Sequence, residues 1–181
     1  MIQDILNAKT FYPIEAMPDL FDKSVLVFGC GNILFGDDGF GPAVAQYLHE
    51  HYALPGDALV LDVGTSIREI LFDLALSEQK PKKIIIVDAV DYPDHRAGEV
   101  FEIPVEGIPA AKTADFSLHQ FPTVNLLQEL KDQGGLDITV LVAQVAGIPE
   151  EVRPGLSPAA QDAVVRASEE IAAQIGARPK S

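Results

Sequence analysis

The sequence predicts a three-layer α/β/α sandwich. Short β-rich apolar runs alternate with amphipathic stretches along most of the chain, the pattern of a sheet covered by helices. The run KKIIIVDAVD (82–91) is apolar on consecutive positions, as a strand buried on both faces requires. The run GEVFEIPV (98–105) alternates instead, which marks an edge or antiparallel strand. Together these readings give a five-stranded, mostly parallel sheet whose fourth strand is antiparallel.

Taken in order, residues 1–22 are read as an N-terminal extension and 23–181 as a single domain. Strands are expected at 24–29, 57–63, 83–88, 98–104 and 138–145. The fourth is antiparallel because the link from Asp88 is short, and a parallel return needs a crossover of about a dozen residues or more. Helices fall between the strands. Pro42–His51 puts Val44, Tyr47, Leu48 and His51 on one face. Ser66–Ala75 aligns Ile67, Ile70, Leu71 and Leu74, with Ser66 and Glu69 spaced as a capping box. Pro122–Lys131 carries Leu126, Leu127 and Leu130. The last helix opens at Ser157-Pro158, a cap followed by proline in the first turn, and stops near Gly176. There is no internal repeat and no low-complexity segment.

Composition narrows the function. The chain has 181 residues, nearly half of them hydrophobic, which suits one domain with a sizeable core. A formal charge of −14 argues against nucleic acid and anionic membranes as partners, since both require a basic face. The single cysteine, Cys30, rules out an internal disulfide framework and fits a reducing compartment. The first eighteen residues carry acids, early breaks and no long apolar run, so neither a signal peptide nor a membrane span is read there. The expectation is a cytoplasmic monomer.

In a parallel sheet, ligands bind beyond the carboxyl ends of the strands. Several acids fall there: Asp37 and Asp38 after the first strand, Asp62 at the end of the second, and Asp88 at the end of the third. Gly29-Cys30-Gly31 after a strand invites a dinucleotide reading, but the third glycine of that fingerprint would stand where Leu34 is. Asp37 and Asp38 would also repel a phosphate at the helix start. Two roles remain for this pair. Acids near a helix N-terminus gain about 0.3–1 kcal/mol from capping and the macrodipole. Alternatively, the flanking glycines let one of them turn into a cleft. Asp88 closes an apolar strand, so it needs either a cation or loop amides to offset desolvation. Among the histidines, His49 and His51 belong to a helix and His95 to a polar, solvated loop. His119 precedes a helix in an irregular segment, where sites concentrate.

The runs GCGNILFGDDGFG (29–41), DVGTSIREILFDLA (62–75), IIIVDAVD (84–91), GEVFEI (98–103) and SLHQFP (117–122) occur in an order that resembles the hydrogenase maturation proteases. The likeness spans residues 24–170 or so. The segments GTSIREILFDL, SLHQFPTVNLL and IPEEVRPGLS are most similar to the coenzyme F420-reducing hydrogenase delta protein subgroup. The resemblance implies an endopeptidase, filed with the aspartic type, that removes the C-terminal extension of a [NiFe] hydrogenase large-subunit precursor after nickel insertion. It also implies nickel ligation by Asp38, Asp88 and His119, with the nickel supplied by the precursor, and a catalytic role for Asp38 and Asp88. Gly31, Asn32 and Gly39 would line that cleft. Two carboxylates and one imidazole make an open ligand set for a divalent transition metal, and a carboxylate can activate water as a general base. Cys30, inside the Gly-x-Gly turn, reads as a small buried side chain rather than a nucleophile. A non-catalytic nickel- or nucleotide-binding accessory protein on the same fold is the alternative, and a cleavage assay separates the two.

Overall fold

A computed structural model describes residues 20, 22–105 and 121–180. Five strands form one sheet: β1 Val25–Cys30, β3 Ala58–Gly64, β4 Lys83–Val90, β5 Val100–Ile103 and β6 Asp137–Gln144. Their order is β3-β1-β4-β6-β5. All neighbouring pairs are parallel except β5 with β6, which pair antiparallel from Val100↔Ala143 to Ile103↔Val140. The predicted sheet is therefore present, with boundaries shifted by a residue or two. β6 lies between β4 and β5. The 91–99 segment thus crosses the carboxyl end of the sheet before β5 runs back.

β4 is central, and its unbroken apolar run follows from that position. Ile84, Ile86 and Val90 belong to the core on one face, and Ile85, Val87 and Ala89 to the core on the other. Helix α1 (Phe40–His51) and helix α4 (Pro158–Ile175) cover the second face through Val44, Leu48, Ala167 and Ile171. Helix α2 (Ile67–Leu76) and helix α3 (Phe121–Gly134) cover the first through Ile70, Leu74, Leu127 and Leu130. Leu20, assigned by sequence to the N-terminal extension, is fully buried in this same core. Each such leucine contributes about 2–5 kcal/mol against truncation to alanine.

Helix ends follow the sequence in one case and depart from it in another. In α4, the Ser157 hydroxyl accepts from the Ala160 amide, Pro158 occupies the first turn, and Gly176 closes the helix in the left-handed region at φ 73°. In α2, Ser66 makes no side-chain cap, so the predicted capping box does not form. Ser66 is instead held through its backbone, its N–H donating to Val63 O at 2.9 Å. Helix α1 begins at Phe40 rather than Pro42, since a proline is tolerated in a first turn whose amides have no partner within the helix. Two short strands that the sequence did not suggest, β2 (Tyr52–Ala53) and β7 (Arg178–Pro179), pair antiparallel and tie the end of α4 to the end of α1.

From β1 the chain moves outward to β3 by way of α1 on one face, while β4 lies on the other side of β1. The sheet therefore changes winding direction between β1 and β4. The crevice outside the carboxyl ends of these two strands is where such folds place ligands.

Candidate active site

The loop after β1 folds back tightly on the strand ends. Gly31 adopts φ 127°, and a Cβ there would collide with the Asp38 carbonyl. A Cβ on Gly41 would strike the carbonyls of both Cys30 and Val87. The Gly-x-Gly turn thus accommodates the protein's own backbone, which explains a glycine-rich loop without a phosphate. A 3-10 turn, Gly36–Gly39, then presents the two adjacent acids.

Those acids do different things. Asp37 is buried and directs both carboxylate oxygens at the start of α4. Its Oδ1 accepts from the Ser157 amide at 2.6 Å and its Oδ2 from the Ser157 hydroxyl at 2.8 Å. Asp38 turns back toward β1, where its Oδ2 accepts from the Asn32 amide at 2.7 Å. The loop closes further through Phe35 N–H donating to Asn32 O at 3.0 Å and Asp38 N–H to Phe35 O at 3.2 Å. Asp37 thus engages Ser157, the cap residue of α4 far along the chain, rather than capping the helix that follows it.

Asp88 is fully buried, and its Oδ1 accepts from the Ala89 amide at 2.8 Å. It does not close its strand as predicted. β4 continues to Val90 because pairing with β6 runs on to Val90↔Gln144. By strand alternation Asp88 shares a face with Ile86 and Val90, the side packed by α2 and α3. Cys30 lies on that face too. Its thiol is pushed well above the ordinary range, first by burial and then by the negative charges of Asp88, Asp62 and Asp38. A protonated, buried thiol does not act as a nucleophile at neutral pH. Asp88, Asp62 and Asp38 thus lie close enough to the end of β1 for their charges to act on the thiol.

Asp62 was noted in the sequence only as an acid at the end of the second strand. In the structure it stands on β3, accepts from the Gly64 amide at 2.9 Å, and belongs to this acidic group. Partial burial pushes its carboxyl upward against that hydrogen bond, but the residue is exposed and solvent screens the effect. Gln144 is a second residue whose role the sequence left unread. Buried at the end of β6, it donates to Asp91 Oδ1 and Val145 O, each at 2.9 Å, and accepts from the Tyr92 amide at 2.9 Å. It anchors the segment leaving β4. A polar side chain interrupting the apolar run VLVAQVA was the available signal.

Of the predicted triad, Asp38 and Asp88 are placed, and neither points into solvent. His119 lies outside the described residues. Among the described residues, no three His, Cys, Asp or Glu side chains form a group arranged to hold a metal. Helix α3 starts at Phe121, two positions after His119 in the chain, and packs on the face that Asp88 shares. Of the predicted lining residues, Gly31 and Asn32 border Asp38, whereas Gly39 turns toward Ile33. Gly39, Ile33, His49, Leu61, Asp62 and Leu156 help line a cleft of about 520 Å³ between α1 and β3, which contains neither Asp38 nor Asp88.

The remaining histidines have structural roles. His49 Nε2 lies 2.8 Å from Val60 O, and His51 stacks on Tyr47 with ring centroids 3.9 Å apart. His95 is not simply solvated, as the sequence suggested. It stacks on Phe101 at 3.9 Å and pairs with Glu99 at 3.0 Å. The Arg96 amide, followed by His95, holds the Glu99 carboxyl below its usual range. No described helix is long and apolar enough to cross a membrane.

The mixed five-stranded sheet is a fold shared with known peptidases. The sequence model of the HycI hydrogenase maturation protease family matches residues 42–174. Coenzyme F420 hydrogenase subunit delta of Methanothermobacter thermautotrophicus is 34% identical over 160 residues, covering 86% of this chain and 97% of that protein. Hydrogenase 2 maturation protease of Escherichia coli is 31% identical over 153 residues, covering 83% and 90%. The solved structure of the hydrogenase maturating endopeptidase HybD from Escherichia coli matches with a TM-score of 0.67 at 29% identity, over 86% of this chain and 97% of that one. The chain belongs to the hydrogenase maturation protease family.

Proposed function

We propose that this protein is an endopeptidase that removes the C-terminal extension of a [NiFe] hydrogenase large-subunit precursor, and that it reads the nickel already inserted there. The single observation that carries the reading is the burial of Asp38 and Asp88 around the end of β1, on opposite sides of the winding switch, each held by a backbone amide. Two carboxylates kept in a largely apolar setting favour a cation, and nickel delivered within the substrate meets that need. His119 completes the proposed ligand set.

Nickel in this scheme is part of the substrate. Three protein ligands, two of them hard oxygens, hold the ion weakly on their own, and the precursor's own ligands complete its shell. A carboxylate beside the scissile bond takes the proton of the attacking water, which adds to the carbonyl carbon as the C–N bond breaks. The proton then passes to the leaving amine.

The test incubates purified protein with nickel-loaded and with metal-free precursor and reads the trimmed end of the hydrogenase chain by mass spectrometry. Trimming of the nickel-loaded precursor alone is expected. Equal trimming of both would overturn metal-gated recognition, and trimming of neither would favour a non-catalytic accessory role.

A further inference from the structure

We infer that Asp37 and Ser157 are positioning residues for the reaction, through which the start of α4 fixes the place of the Asp38 carboxylate. The inference rests on the reading of Asp38 given above. Asp37 does not itself reach a substrate: it is buried, and both of its oxygens are engaged by Ser157 at 2.6 and 2.8 Å. The Ser157 hydroxyl is in turn oriented by the Ala160 amide at 3.3 Å, so the partner for Asp37 is built into the helix cap.

The same stretch of chain grips the loop a second time. Arg153 N–H donates to Leu34 O at 2.8 Å, and Gly36 N–H donates to Arg153 O at 2.9 Å. Residues 153–157 therefore strap the turn on one side, while the Asn32 amide holds Asp38 on the other at 2.7 Å. A 3-10 turn of four residues has few internal bonds with which to hold its own shape. Asp38 is the next residue in the chain, within the same four-residue turn, so a displacement of the Asp37 backbone also displaces the Asp38 Cα. Misplacing a reacting group by about 1 Å can cost on the order of a hundredfold in rate.

Three substitutions separate this role from simple helix capping. Ser157→Gly removes the hydroxyl but leaves the amide and a residue tolerated at N-caps. Ser157→Thr keeps the hydroxyl. Asp37→Asn removes one acceptor and the charge. With all variants shown folded by circular dichroism and nickel-loaded precursor as substrate, Ser157→Gly and Asp37→Asn should lower kcat on the order of tenfold with KM within about twofold, and Ser157→Thr should restore it. The amide proton of Asn32, followed by 1H–15N NMR without substrate, should move upfield in the first and third variants and stay in place in Ser157→Thr. An Asn32 amide that does not move in Ser157→Gly and Asp37→Asn overturns the positioning role, whatever kcat does. Wild-type cleavage by Asp38→Asn overturns instead the reading on which the proposal stands, whatever the amide does.

Discussion

The Asn32 amide and the Asp38 carboxylate, six positions apart, close the loop after β1 with a hydrogen bond of 2.7 Å. This bond turns Asp38 inward while its neighbour Asp37 points the other way, to Ser157. The pair of identical letters is thereby divided between the end of β1 and the start of α4.

Asp38→Asn keeps the shape of the side chain and removes its charge. Cleavage of nickel-loaded precursor should fall by about a hundredfold or more, because both roles proposed for Asp38, metal recognition and proton abstraction, use the carboxylate. Mass spectrometry of the product over a time course measures this directly, and a rate within about threefold of wild type would contradict it.

Gly41→Ala should destabilise the fold by about 3 kcal/mol, since its Cβ would strike the Cys30 and Val87 carbonyls and backbone cannot give way as a side chain can. Gly56→Ala, with nothing within 4 Å of the new methyl, should be neutral or slightly stabilising, by up to about 1 kcal/mol. Urea midpoints of the two variants give the comparison, and equal midpoints would refute the close-approach account.

The Cys30 thiol titrates higher in the folded protein than in the unfolded chain, where its ordinary value is 9.0. A group with a raised folded pKa adds stability below its unfolded pKa and loses it as pH rises, so this contribution is present at neutral pH and fades above about pH 9. Between about pH 7 and pH 10, wild type should therefore lose more stability than Cys30→Ala. Iodoacetamide should label native Cys30 far more slowly than the unfolded chain at about pH 8, and Cys30→Ala should still cleave precursor. Rapid labelling of the native protein would show a different thiol environment.

Alanine at His49, His51 or His95 should leave precursor processing intact. His49→Ala removes the contact with Val60 O and should cost about 1 kcal/mol of stability. The two observables, processing and thermal midpoint, are expected to separate cleanly. Loss of cleavage in a fully folded variant of any of the three would place that histidine in the site.

Much of the fold was legible because single runs carried the information. The apolar IIIV of β4 announced a strand buried on both faces, and the alternation of GEVFEI announced the antiparallel edge. Ser157, Pro158 and Gly176 marked the ends of α4 by local chemistry alone. The Ser66–Glu69 spacing had equally good letters but failed, because the turn entering α2 is held by backbone bonds. β4 outran its predicted end because its length is set by pairing with β6, which no local window contains. For the site, the acids after β1 and in β4 stood out by position. The division between Asp37 and Asp38 did not, since the partner that decides it lies 120 positions away.

That separation of 120 residues has a consequence for how the protein is made. Synthesis is vectorial, so the acidic turn leaves the ribosome long before the helix that latches it. Contacts so distant in sequence form late, after loop-closure entropy has been overcome. Until α4 docks, the nascent chain holds Asp38 on a turn secured on one side only. Assembly of the carboxylate geometry is thus among the last events of folding, and a chain truncated before residue 157 would lack the latch however well its sheet had formed.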